Sequence, residues 1–264
     1  MPTNLPKTLN HVSVLRDFLL DLIFPIECQG CGAENIWLCR DCFRSLKFNQ
    51  AQACPVCKTK NDFGQTCLPC QTNFHLNGLW VAGDYNDRLI QKLIKTFKYK
   101  FSKDLSKALG IFLSLFLKNL INISRIGLED NIRIKLTKIK KSPQILLHPQ
   151  SALLIPVPLH KKRLRWRGFN QSEKLALILA KNLNLKFNNE LKRTKYKKAQ
   201  AKLNKNEREK NIINCFGWSG QKLNNRAIIL IDDVTTTGST LNEAAKILKR
   251  AGAGEVWGLV LARG

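Results

Sequence analysis

The chain has 264 residues, 44% of them hydrophobic, enough for one α/β domain of ordinary size beside a small module. Its 44 Lys and Arg against 19 Asp and Glu leave a formal charge of +25, beyond what solubility needs, so a polyanionic partner is expected, nucleic acid first. No apolar signal core follows a basic start and no run of about 18 uncharged apolar residues occurs, so neither export nor stable membrane insertion is expected, and the location follows as cytoplasmic.

Taken in chain order, residues 1–26 contain an apolar stretch, Val12 to Phe24, interrupted by Arg16, Asp17 and Asp21. That pattern predicts an amphipathic docking helix. Residues 27–75 form a cysteine-rich module with four pairs, Cys28/Cys31, Cys39/Cys42, Cys54/Cys57 and Cys67/Cys70. Two residues separate the members of each pair, the spacing by which one chain wraps a tetrahedral metal. Four pairs fill about two structural zinc sites, closed by four thiolates each. Consecutive pairs would make two stacked ribbons and alternate pairs a cross-braced arrangement; consecutive pairing is the expectation. Few large apolar side chains lie between the pairs, so the metal would supply the module's stability.

The remaining 76–264 reads as one α/β domain. Leu89, Leu93 and Phe97 mark an amphipathic helix, and residues 122–150, with Arg125, Arg133, Lys135, Lys138, Lys140 and Lys141, read as a solvated connection. From 153 to 171 the sequence "LLIPVPLHKKRLRWRGFNQ" reads as an apolar strand, a basic loop, and a helix that opens at Asn170 with Glu173 as capping-box partner. Arg163, Arg165 and Arg167 in that loop suit pyrophosphate or phosphodiester oxygens, which guanidinium groups grip bidentately. His160 stands where it would cap the local backbone or donate a proton.

Residues 186–210 carry ten Lys or Arg against three acids. Within them Lys195, Tyr196, Lys197, Lys198 and Lys202 interleave charge with an aromatic ring, the composition that binds single-stranded nucleic acid through its backbone and bases. Cys215, the odd thiol, reads as buried and inert. Residues 228 to 240, "IILIDDVTTTGST", place a buried strand, Ile228 to Ile231, ahead of two acids, Asp232 and Asp233. In open α/β sheets ligands bind at that carboxyl end. Thr235, Thr236, Thr237, Gly238, Ser239 and Thr240 offer hydroxyls and N–H groups to a small anion, at the start of a helix whose stripe is Leu241, Ala244, Ala245 and Leu248 and whose cap is Gly252. No Gly-Lys-Ser/Thr triplet follows the strand, which argues against a nucleoside triphosphate loop.

The stretch from Ile228 to Thr240 resembles the phosphoribosyl pyrophosphate (PRPP) signature of type I phosphoribosyltransferases. That resemblance implies a parallel sheet flanked by helices, in which Asp232 and Asp233 hold the ribose 2′ and 3′ hydroxyls with Mg²⁺ and residues 235–240 hold the 5′-phosphate. It also implies that Arg163 and Arg167 stabilise departing pyrophosphate. Pro156-Val157-Pro158-Leu159-His160, Arg163, Arg167-Gly168-Phe169-Asn170-Gln171, Gln200, Leu203, Arg208, Asn211 and Lys98-Tyr99 are similar to the signature of the ComF family of competence proteins. This second resemblance implies a phosphoribosyltransferase-like domain behind a double zinc ribbon. It further implies single-stranded DNA handling in natural transformation, beside a competence helicase or uptake-channel proteins peripheral to the inner membrane. A nucleotide-metabolism transferase with an unidentified acceptor, or a PRPP or nucleotide sensor, fits the same residues. Amidophosphoribosyltransferase chemistry is not expected, because it needs an N-terminal glutaminase Cys and the chain opens Met1-Pro2.

Overall fold

A computed structural model describes residues 26–99, 104–130, 143–194 and 214–264. The expected helix over Val12 to Phe24, and Lys195, Tyr196, Lys197, Lys198 and Lys202, lie outside the described residues. The chain divides into two compact units, Met1–Ser45 and Leu46–Gly264. The second cysteine cluster therefore falls within the larger unit.

In the smaller unit a hairpin-like knuckle is closed by the Glu27–Glu34 bridge and by the Cys28 N–H donating to Ala33 O at 2.8 Å, ahead of helix α1 (Arg40–Ser45). The larger unit opens with a similar knuckle, bridged at Ala53–Lys60 and followed by α2 (Leu68–Gln71). This second ribbon lies against strand β1 (Gly78–Asp84): the Trp80 indole donates to Phe63 O at 3.0 Å, and the Gln52 amide pairs with both backbone groups of Val81. At Gly64 a β-carbon would stand 2.3 Å from Leu79 O, so only glycine lets the two backbones meet.

Five strands run parallel in the order β1, β7 (Val256–Arg263), β6 (Ile228–Thr235), β2 (Leu153–Pro156) and β3 (Lys186–Phe187). Two further strands, β4 (Leu191–Arg193) and β5 (Phe216–Trp218), pair antiparallel. The central strands are buried on both faces, which is why they read as continuous apolar runs rather than alternations. Ile155, Ile228, Leu230, Val256 and Val260 join Leu241, Ala244, Ala245 and Leu248 of α8 (Ser239–Arg250) in one core. Pleating turns Leu154, Ile229, Ile231, Leu259 and Leu261 to the opposite face. Helices α4 (Leu105–Asp130) and α7 (Gln171–Leu183) pack together on the sheet, α4 against β1 and β7, α7 against β6 and β2. They approach closely at Gly110, where a β-carbon would stand 2.6 Å from the Ile178 side chain.

The expected helix around Leu89, Leu93 and Phe97 is α3 (Arg88–Tyr99), with Ile90, Leu93, Ile94 and Phe97 buried. Residues 105–124 of α4 are long and apolar enough to cross a membrane, with mean hydropathy 1.3, yet half of that stretch is buried within the protein. Four local expectations are corrected. The connection read over 122–150 is helical at both ends, where α4 runs to Asp130 and α5 (Gln144–Leu147) precedes β2. The strand of Ile228 to Ile231 continues to Thr235, because its ladder with β7 runs on through Asp232–Val260, Val234–Ala262 and Thr235–Arg263. The arginine-rich loop is a short helix, α6 (Lys161–Arg167), capped by His160 and ended by Gly168 in the left-handed region. The Asn170 side chain does not cap α7; its amide donates to Val157 O at 3.1 Å instead.

Candidate functional site

In the carboxyl half of β6, still within its ladder with β7, the two adjacent acids are held differently. Asp233 is buried and its carboxylate pairs with Lys98, at the end of α3, across 3.3 Å. Asp232 accepts the Ser172 hydroxyl from the first turn of α7 at 2.8 Å and the Asp233 N–H at 2.9 Å. Burial, then the neighbouring Asp233 charge, pushes the Asp232 carboxyl up to about 7, against the opposing pull of Ser172, the Asp233 N–H and Lys98. Near neutral pH the pair thus sits at the edge of holding its second negative charge, the electrostatic condition that a cation or a diol hydroxyl relieves.

The loop beyond the acids is organised around its own hydroxyls. The Gly238 N–H donates to Thr235 Oγ1 at 3.1 Å, the Ser239 N–H to Thr237 Oγ1 at 3.3 Å, and the Thr237 and Ser239 hydroxyls lie 2.6 Å apart. Gly238, at φ 80°, turns the chain into α8, a conformation that a side chain would strain. No acid occupies the first turn of α8, so its dipole end faces the loop uncompensated. Thr236 is exposed, and Thr240 is partly so.

Helix α6 brings Arg163 and Arg167 onto one face by their four-residue spacing, both partly buried, while Arg165 is exposed. Arg167 donates to the Gln171 side chain at 3.3 Å, and Gln171 reaches Phe97 O at 3.4 Å, next to Lys98. Arg193, on β4, lies within electrostatic reach of both Arg163 and Asp232. Burial, and next the Arg163 charge, pull the Arg193 guanidinium below its ordinary value, with Cys215 and Asp232 acting the other way. Arg193 also stacks over the Phe216 ring, 5.4 Å from its centroid. His160 Nδ1 accepts the Lys162 N–H at 3.2 Å, the capping role. Cys215 is fully buried in the core. Ser172 and Lys98 hold the expected acids, and Arg193 lies within electrostatic reach of Asp232; sequence reasoning does not single out these three as site residues.

The eight paired cysteines form two groups, Cys28, Cys31, Cys39 and Cys42, and Cys54, Cys57, Cys67 and Cys70, each with all four sulfurs within 4.8 Å of one another. Consecutive pairing is therefore the arrangement. Sulfurs of Cys31 and Cys39 are 3.6 Å apart and those of Cys57 and Cys67 3.5 Å, close to the edge of about 3.8 Å that a tetrahedron with ~2.3 Å Zn–S bonds requires. Burial raises the Cys28 thiol, but the N–H groups of Cys39, Cys31 and Gly30 outweigh it and bring the thiol down to about 6. The Thr59 hydroxyl and N–H do the same for Cys57, also to about 6. The residues fit structural zinc in both groups.

Residues 19–71 match the double zinc ribbon domain. Competence protein F of Haemophilus influenzae is 41% identical over 114 residues, which cover 41% of this chain and 50% of that protein. DNA utilization protein YhgH of Escherichia coli is 28% identical over 238 residues, 87% of this chain and 93% of that protein. Competence protein ComFC of Bacillus subtilis is 27% identical over 227 residues, 81% and 79% respectively. The ComF resemblance is borne out. The chain spans half the length of the Haemophilus protein and nearly all of the Escherichia one. Its α/β class, parallel sheet and N-terminal double ribbon stand as the sequence implied.

Proposed function

We propose that the protein binds PRPP, or a related phosphorylated ribose, at the carboxyl edge of β6 and acts in single-stranded DNA handling during DNA uptake. The observation that carries the ligand reading is the Asp232–Asp233 pair, fixed by Ser172 and Lys98 directly ahead of a hydroxyl-lined loop at the start of α8. In this reading the two acids orient the ribose diol, and Thr236, Thr237, Ser239 and Thr240 receive the 5′-phosphate with backbone N–H groups of the loop. Arg163, Arg167 and Arg193 meet the pyrophosphate. Mg²⁺ arriving with PRPP would be held by Asp232 and Asp233, and it supplies positive charge for the departing pyrophosphate. Fixed guanidinium groups favour the same charge without having to reorganise.

The role in DNA uptake draws on the names of the similar proteins, two of which are competence proteins and one a DNA utilization protein. A physical feature supports it: α6 exposes Trp166 and Leu164 among Lys161, Lys162 and Arg165, presenting a stacking ring inside a field of cations. A transferase of nucleotide metabolism and a PRPP or nucleotide sensor use the same cradle. Calorimetric titration with PRPP and Mg²⁺, nucleotides and single-stranded oligonucleotides, followed by a pyrophosphate-release screen over bases and amines, separates these. PRPP binding without release is the expected outcome for a DNA-handling protein. Release with a specific acceptor would return the chain to metabolism, and no binding of any phosphorylated ribose would end the ligand reading.

A further inference from the structure

Arg263, at the end of β7, donates from Nη2 to Pro55 O at 2.6 Å and from Nε to Thr236 O at 3.0 Å. Pro55 lies inside the second metal knuckle, between Cys54, which is fully buried, and Cys57. Thr236 lies in the hydroxyl loop. One guanidinium therefore ties the knuckle to the loop by two charge-assisted bonds. The chain leaving the ribbon touches the loop again at two places: a β-carbon at Gly238 would meet the Phe74 ring at 3.4 Å, and the His75 N–H donates to the Asn242 side chain in the first turn of α8 at 2.6 Å.

We propose that the Cys54–Cys57–Cys67–Cys70 zinc site positions the phosphate loop, with Arg263 as the residue that couples them. The Pro55 carbonyl keeps its place only while Cys54 and Cys57, on either side of it, share a metal. Without the metal the Cys54–Cys57 turn loses its closure by Cys67 and Cys70, and the acceptor that fixes one side of the guanidinium is free to shift. The other side, on Thr236 O, then holds the loop with a side chain free to move. The positional consequence rests on the geometry alone; its consequence for ligand rests on the phosphate reading proposed above.

Hydrogen exchange on the full-length, zinc-loaded protein tests it, comparing the native chain with Cys57→Ser and Arg263→Gln. Exchange at residues 236–242 should accelerate by about tenfold in both variants, the scale of one lost charge-assisted hydrogen bond, while amides of α7 stay unchanged. Arg263→Gln should retain the native zinc content by elemental analysis, so it reports on the coupling even if Cys57→Ser unfolds. Arg263→Lys should restore at most part of the protection, because an ammonium lacks the planar fork that reaches two carbonyls. Unchanged exchange at 236–242 in Arg263→Gln overturns the coupling. In a parallel arm, ribose 5-phosphate should bind Arg263→Gln about tenfold more weakly than the native protein, by the same lost bond. A native protein that binds no ribose 5-phosphate would end the phosphate reading, whereas the exchange result would still decide the coupling.

Discussion

Asp232 shows how much of a site a single position reveals and how much it withholds. Its place after an apolar strand run, beside a second acid and ahead of hydroxyl residues, is visible in the sequence. Its partners are not: Ser172 is 60 residues away in the chain, and Lys98, which pairs with the adjacent Asp233, sits on α3, so only the fold assembles them. The raised carboxyl has a definite sign. Its folded-state pKa of about 7 lies above the ordinary 3.8, so the folded protein keeps a proton that the unfolded chain releases. This group's contribution to stability is therefore full below about pH 4 and is lost as pH rises toward 7. Binding of Mg²⁺ with PRPP runs oppositely and should strengthen between about pH 6 and 8 as the second charge appears. Ser172→Ala removes a hydrogen bond that favours the ionised form, so the midpoint of that binding curve should move to higher pH. Replacing Asp232 and Asp233 together by Asn should weaken Mg²⁺-dependent PRPP affinity by at least about tenfold and flatten its pH profile. Calorimetry across that pH range measures all three effects; a pH-independent affinity would remove Asp232 from the ligand site.

At the level of elements, regular patterns were legible and short ones were not. The stripe and glycine of α8 give its bounds, since a 12-residue amphipathic helix carries its whole signal locally. The cysteine spacing did the same for the ribbons, because a tetrahedral site imposes its own geometry on the chain. Helix α6 reads as a loop in the sequence because seven residues cannot show a helical period and because its Leu164 and Trp166 are exposed rather than turned to a core. Its boundary signals, His160 before and Gly168 after, were present in the sequence. The length of β6 is hidden for the opposite reason: charge at Asp232 argues for a strand end, but pairing with β7 carries the ladder past it. The exposed tryptophan of α6 has a measurable consequence. If it stacks on nucleobases, Trp166→Ala should weaken single-stranded DNA binding by about 1 to 3 kcal/mol with little change in salt dependence. Fluorescence titrations of oligonucleotides labelled with a dye would check this, and equal affinity in the variant would leave α6 a pyrophosphate element only.

For the whole molecule, the excess of cations was legible at once, whereas its distribution is not a property of composition. Arg163, Arg167 and Arg193 are the cations proposed to meet pyrophosphate, and a small ligand cannot use more than a few such groups. Lys195, Lys197, Lys198 and Lys202 form a separate block in sequence, with Tyr196 among them. If that block follows a nucleic-acid backbone, single-stranded DNA binding should weaken steeply with salt, at a logarithmic slope of about −0.7 per phosphate neutralised. Changing all four lysines to Gln should flatten the slope by roughly two to three units, since each neutralised phosphate contributes its own share of released counterions. PRPP affinity should not change, because the acids, hydroxyl loop and arginines proposed to hold it are untouched. The two readouts together distinguish a distributed DNA surface from general electrostatic attraction: a loss of PRPP binding alongside DNA binding would mean that the lysines serve the small-ligand site. An unaltered slope would place the phosphate contacts elsewhere on this +25 chain, and α6 is then the next basic element to neutralise.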